Sequence, residues 1–449
     1  MLVRRISAAL ALLVASVWPA VSPAQTPIAM GSGLDGGFAL ASDSAPMEDL
    51  SLSGCADGSC GEMGCQGDCG GDCGSGCGGC GSCGGCGSRV WARAEYIFWW
   101  VQGANLPPLV TTSPPGTPQG QAGVLTADFR PSETTSILYG GDRQGAAPRS
   151  GGRIQAGYWL DNCQTTMVAG DFFALGDGTT SYTATTDSSP ILARPFFNVQ
   201  PDQGPPRQDA ALVSFPDIVQ GGINVRTESE ILGAGAYLRH ALHRNCGRRL
   251  DLLVGYRYLR VDDYLQVIDG FESIDRGSQV PVGTTFDSFD AFNVKNDFHG
   301  AEIGGVWDVD RGPWGLSLLG RVALGNVHQR VGIRGSTIVT VPNVDPVLTA
   351  GGLLAQPTNI GNYSRNQFGV LPEVQATLSY RINCRLRATV GYTFMYLSNV
   401  ARAANQVDLN LNPTQFNGGT LSGPAQPSFA FHSTDIWLHG FNVGAEYKY

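Results

Sequence analysis

From Trp91 onward, apolar and polar positions alternate with a period of two. In the stretch 366–382, Phe368, Val370, Val374, Ala376, Leu378, Tyr380 and Ile382 share one face. Gln367, Gly369, Glu373, Gln375, Thr377, Ser379 and Arg381 share the other, with one interruption at Leu371 and Pro372. After Asn383-Cys384 the pattern resumes, with Leu386, Ala388, Val390, Tyr392, Phe394 and Tyr396 opposite Arg385, Arg387, Thr389, Gly391 and Thr393. The same alternation runs through 249–260 and 314–324. Ordinary strands are about five or six residues long, and these runs are longer. Long segments with one apolar face, one polar or glycine face and aromatics near the ends are the pattern of a transmembrane β-barrel. Strands are expected at 90–101, 151–161, 165–175, 229–243, 249–261, 296–308, 313–326, 366–382, 385–398 and 433–449.

The spacing of these strands predicts a topology. Connections 162–164, 244–248, 309–312 and 383–384 are very short. Connections 102–150, 176–228, 262–295, 327–365 and 399–432 are long. Short and long alternate throughout, the arrangement of short periplasmic turns and long outer loops in an up-and-down antiparallel barrel, with both termini on the periplasmic side. Stretch 134–141, paired with a segment such as 329–336, would raise the count from ten to twelve.

Composition agrees with an all-β exported chain. Only 15 % of the 449 residues are charged and 61 are glycine, against about 25 % charged in an average soluble domain. The formal charge of −9 argues against nucleic acid as a partner, because phosphate recognition needs a basic patch. Residues 1–24 read as a signal peptide: Arg4 and Arg5, an apolar stretch Ala8 to Ala15, then Ser22-Pro23-Ala24 as a cleavage site. That stretch is too short to cross a bilayer as a helix. Its removal takes the chain to −11. Residues 25–54 read as a linker, 55–88 as a Gly/Cys-rich tract and 89–449 as the barrel.

The tract holds nine of the twelve cysteines: Cys55, Cys60, Cys65, Cys69, Cys73, Cys77, Cys80, Cys83 and Cys86. In an oxidising compartment these thiols would pair, and an odd number leaves one for another site or molecule. The C-x-x-C spacing from Cys77 to Cys86 leaves thiolate metal binding as the alternative. Gly76, Gly78 and Gly81 match a dinucleotide-loop spacing without the flanking strand and helix that would give it meaning. The other cysteines, Cys163, Cys246 and Cys384, each follow an asparagine in a short turn. Tract and turns are therefore expected on the same side, either cross-linked to each other or facing a disulfide-linked periplasmic or wall protein.

The chain ends GFNVGAEYKY, where Phe441, Val443, Tyr447 and Tyr449 alternate with polar residues. This resembles the C-terminal signal that the barrel insertion machinery reads in bacterial outer-membrane proteins. Further blocks, among them WARAEYIFWWVQGANLPPLVTTSP at 91–114, RSGGRIQAGYWLDNCQ at 149–164, LARPFFN at 192–198, RLDLLVGYRYLRV at 249–261 and NDFHGAEIGG at 296–305, resemble a β-barrel porin family of planctomycete bacteria. The resemblance implies an outer-membrane location and a barrel fold.

No metalloprotease, nucleophile-elbow or phosphate-loop motif is present, the six histidines are scattered, and no cofactor or enzymatic activity is expected. Two functions follow. One is a passive pore for small polar solutes, lined by Arg93, Glu95, Arg257, Arg321, Glu373, Gln375, Arg381, Arg385 and Arg387. The other is a structural anchor that joins the outer membrane to a periplasmic or wall layer through the cysteine tract. About eight strands enclose only side chains and open channels use about 16, so ten to twelve leave a narrow passage at most.

Overall fold

The structure, a computed structural model, describes residues 89–200, 204–245 and 247–449. The stretches read from sequence as signal peptide, linker and Gly/Cys tract, together with Cys246, lie outside the described residues. Ten antiparallel strands close into a ring: β1 Val90–Val101, β2 Pro148–Trp159, β3 Thr166–Leu175, β4 Val219–Asn245, β5 Arg248–Ser273, β6 Thr285–Arg311, β7 Trp314–Thr340, β8 Gly361–Arg381, β9 Leu386–Ala401 and β10 Ser433–Lys448. Each strand pairs with its sequence neighbours, and the ring is sealed where β1 meets β10, from Trp91 opposite Lys448 to Val101 opposite Leu438. Closure pairs the strand edges, which a bilayer requires because hydrocarbon offers no partner to an open edge. Among the described residues no helix is long and apolar enough to cross a membrane.

All ten expected strands are present. The short connections gather at one end of the barrel, here the turn end. Between β6 and β7 only Gly312-Pro313 separates the paired residues Arg311 and Trp314, and Gly312 takes φ +58°, a left-handed position suited to a two-residue hairpin.

Two expectations need correction. Strands β4 to β7 run 27, 26, 27 and 27 residues, so most of 219–228, 262–295 and 327–340 is wall rather than loop. In addition, 134–141 adds no wall strand. Ser136–Tyr139 pairs with Val110–Thr112 in a separate inner sheet, and 329–336 already belongs to β7. That inner sheet is built from Val110–Thr112, Ser136–Tyr139, Leu192–Asn198, Arg207–Ser214 and Asn410–Leu411. The wall is raised further by Gly178–Thr185, which continues the line of β3 along β4, and by Val347–Ala350 beside β7.

The reason for the correction is a change of phase. In β5 Leu250, Leu252, Val254, Tyr256 and Tyr258 point outward, but Leu259, Val261, Leu265 and Val267 point inward, while Arg260, Asp262 and Gln266 point out. In β7 the outward apolar series ends at Leu324 and the inward one begins at Val327. Strand geometry is unbroken across the flip; only the solvent on each face changes. On β7 the outward apolar series runs from Trp314 to Leu324, which at about 3.3 Å per residue and roughly 40° tilt spans about 25 Å, the height of a bilayer-facing band.

Candidate functional site: the filled lumen

The lumen is layered from the turn end upward. Nearest the turns, Arg93 of β1 pairs with Glu446 of β10 at 2.5 Å. Arg239 of β4 joins Asp251 and Asp308, and the Arg249 guanidinium lies 4.4 Å over the Trp159 ring.

The next layer holds the largest group of buried charges. Arg257 donates to Asp171 at 2.5 Å and to Glu373 at 2.9 Å. From the neighbouring wall, Arg321 donates to the same two carboxylates at 3.1 and 2.8 Å and lies 3.4 Å from Glu302. Arg153 completes the layer, 3.5 Å from Glu373 and 3.8 Å from Glu95, and donates to Gln375 at 2.9 Å. Its guanidinium also lies 4.9 Å from the centre of the Trp99 ring. Trp99 in turn donates to Asn442, which donates to Thr393. Arg257 and Glu373 are 0 % exposed. Three arginines meet four carboxylates here, and strands on opposite sides of the ring contribute, so the ion pairs cross the lumen. Gly233 leaves the space that the Phe173 ring occupies beside this layer: a Cβ there would sit 2.3 Å from the ring.

Above the charges comes an apolar belt. Ile97, Trp99 and Val101 of β1 meet Phe173, Leu259, Phe298, Leu371, Met395 and Leu438 from around the ring, all at most 1 % exposed. Leu371, an interruption in the sequence pattern, belongs to this belt. Its neighbour Pro372 has no N–H to donate, and the β8–β9 ladder runs only from Glu373 to Arg381, as proline requires. Higher still, the inner sheet packs against the tall wall. Arg194 of the inner sheet bridges Asp269 and Asp290 at 2.6 and 2.7 Å, and Asp290 also accepts from the backbone amides of Leu353, Leu354 and Ala355.

Of the residues singled out from sequence, Arg93, Glu95, Arg257, Arg321, Glu373 and Gln375 point inward and are packed against partners. Arg387 sits at the turn-end rim on Asp310, and Arg381 beside it is partly exposed. Arg385 lies in the β8–β9 turn, outside the lumen, and is exposed. Arg153, Asp171 and Glu302 were missed, although each is an isolated charge on the polar face of a dyad strand. Phe441, Val443 and Tyr447 face outward and are exposed, as is the terminal Tyr449. Cys163 and Cys384 sit in the turns as expected, and neither carries a free thiol. Four of the histidines, His240, His299, His328 and His439, lie on the outer wall, hydrogen-bonded to Thr166, Tyr256, Asn366 and Tyr392.

A closed ring of strands with an apolar outer band and a charged interior defines a transmembrane β-barrel of the outer-membrane type. The chain belongs to the family described as "Putative beta barrel porin-7 (BBP7)", whose model matches residues 91–449. No curated protein matches it. Among solved structures it is similar to the outer membrane protease OmpT from Escherichia coli, at 10 % identity over 81 % of this chain and 97 % of that one, with a TM-score of 0.37. It is also similar to a Pseudomonas aeruginosa FadL homologue, at 7 % identity over 80 % and 90 %, with a TM-score of 0.26.

Proposed function

We propose that this protein is a structural outer-membrane barrel whose lumen is closed to passive diffusion, with its short turns on the periplasmic side. The observation that carries this reading is the pairing of Arg153, Arg257 and Arg321 with Glu95, Asp171, Glu302 and Glu373 across the lumen, capped by the apolar belt. An ion entering there would displace buried ion pairs and then pass a ring of hydrocarbon, which costs several kcal/mol of desolvation at each step. The cysteine tract is the element that would join a periplasmic or wall protein, and the outward aromatic and aliphatic band holds the barrel in the lipid. The family description favours the other reading, passive diffusion of small polar solutes along the charged wall.

Planar-bilayer recording of the refolded full-length chain separates the two. The closed barrel gives a folded, heat-modifiable protein with no steady conductance, whereas stepwise open-channel currents would replace it with the diffusion pore. Non-reducing gels of native membranes address the anchor: a high-mass band that collapses on reduction supports it, and unchanged migration removes the cross-link.

A further inference from the structure

The two ends of the barrel differ in how their exposed charges are matched. At the turn end, Arg89, Arg244, Arg248, Arg311 and Arg385 are all exposed, and none forms an ion pair among the described residues. Arg89 and Arg244 donate to neutral partners, the Asn162 amide and the Cys163 carbonyl. The acids of that end are already engaged. Asp161 accepts from the Thr165 and Thr166 amides, Asp308 from Arg239, Asp310 from Arg387 and Glu446 from Arg93. At the opposite end, exposed acids such as Asp128, Glu133, Asp142, Asp187, Asp217 and Asp345 stand on the loops, mixed with exposed arginines such as Arg130 and Arg276. The turn end therefore presents a group of exposed arginines whose neighbouring acids are already engaged.

The position of these arginines relative to the outer wall matters as much as their charge. Tyr158, Trp307, Trp314, Tyr380 and Tyr447 point outward and are 42–51 % exposed at the lower edge of the apolar band. Outward aromatics of this kind mark the plane where acyl chains give way to headgroups. Arg311 is three residues from Trp314 and Arg385 five from Tyr380, so the guanidinium groups lie just beyond that plane, at headgroup depth. The planar guanidinium fork matches phosphate oxygens in pairs. We infer that this arginine ring binds the phosphate groups of anionic phospholipids in the leaflet it adjoins, fixing the depth of the barrel. The inference requires only that the chain spans a membrane, and not that its lumen is closed.

The test uses the full chain in lipid nanodiscs of phosphatidylcholine with and without phosphatidylglycerol, with lipid retained after detergent exchange read by native mass spectrometry. The variant is R248Q/R311Q/R385Q, whose side chains make no ion pair among the described residues, so folding is checked by heat modifiability. Wild type should retain phosphatidylglycerol over phosphatidylcholine, and the variant should lose that preference about tenfold, as should wild type at high salt. Equal retention by the two proteins, or no preference in wild type, overturns the inference. So does binding of polyglutamate to wild type in phosphatidylcholine discs without any phosphatidylglycerol preference, because the ring would then serve an acidic polymer.

Discussion

Within the bilayer band the inward face is charged and the outward face is apolar, whereas above it the inward face is apolar and the outward face polar. Both regions are one continuous sheet with one side-chain parity. In the band, ten strands bring opposite walls within side-chain reach, so the wall fills its own lumen, and long arginines paired with carboxylates span it. Above the band the interior is filled by other chain segments, the inner sheet and the turn at Leu353 to Ala355. Their backbone amides find partners such as Asp290, and their apolar side chains meet Leu265, Val267, Phe292 and Ile333. What faces inward is thus set by what occupies the space, and what faces outward by the solvent at that height.

Three experiments press on this contrast. The largest effect is expected at Glu373, which lies within 3.5 Å of Arg153, Arg257 and Arg321. Glu373→Ala leaves buried positive charge uncompensated and should destabilise the folded barrel by about 3–5 kcal/mol in denaturant titrations. A loss under about 1 kcal/mol would mean that water already reaches this layer. Next, an arginine at Leu318, outward and near the middle of the β7 band, should cost about 2–4 kcal/mol, and one at Asn326, just above it, about 0–1 kcal/mol. Equal costs would move the membrane boundary from where the phase flip puts it. Smallest for the barrel as a whole is Asp290→Ala, which removes one partner of Arg194 and the acceptor of three amides. It should cost about 1–3 kcal/mol, seen as faster proteolysis within 351–356 with the barrel still heat-modifiable.

The turn-end half of each strand, the parity of its faces and the alternation of short and long connections were legible because lipid imposes one rule on every strand that crosses it. The upper halves of β4 to β7 were not read as strands, because there the apolar residues move to the opposite parity. Val261, Leu265 and Val267 still alternate with Asp262 and Gln266, but in the inverse phase. In the lumen, Arg257, Arg321 and Glu373 could be assigned to the inner face from their spacing alone, yet their being paired rather than solvated could not.

By itself, then, the chain determines a β wall of long antiparallel strands and which side chains of its membrane-facing stretches point inward, because these follow from local alternation and from a bilayer's intolerance of unpaired amides. The choice of ten strands over twelve came with the fold. Only the tertiary structure decides that the lumen is occupied. The distance between Arg257 and Asp171, or Arg153 and Glu373, depends on how the ring closes and how far its strands tilt, and no local stretch of sequence carries that information.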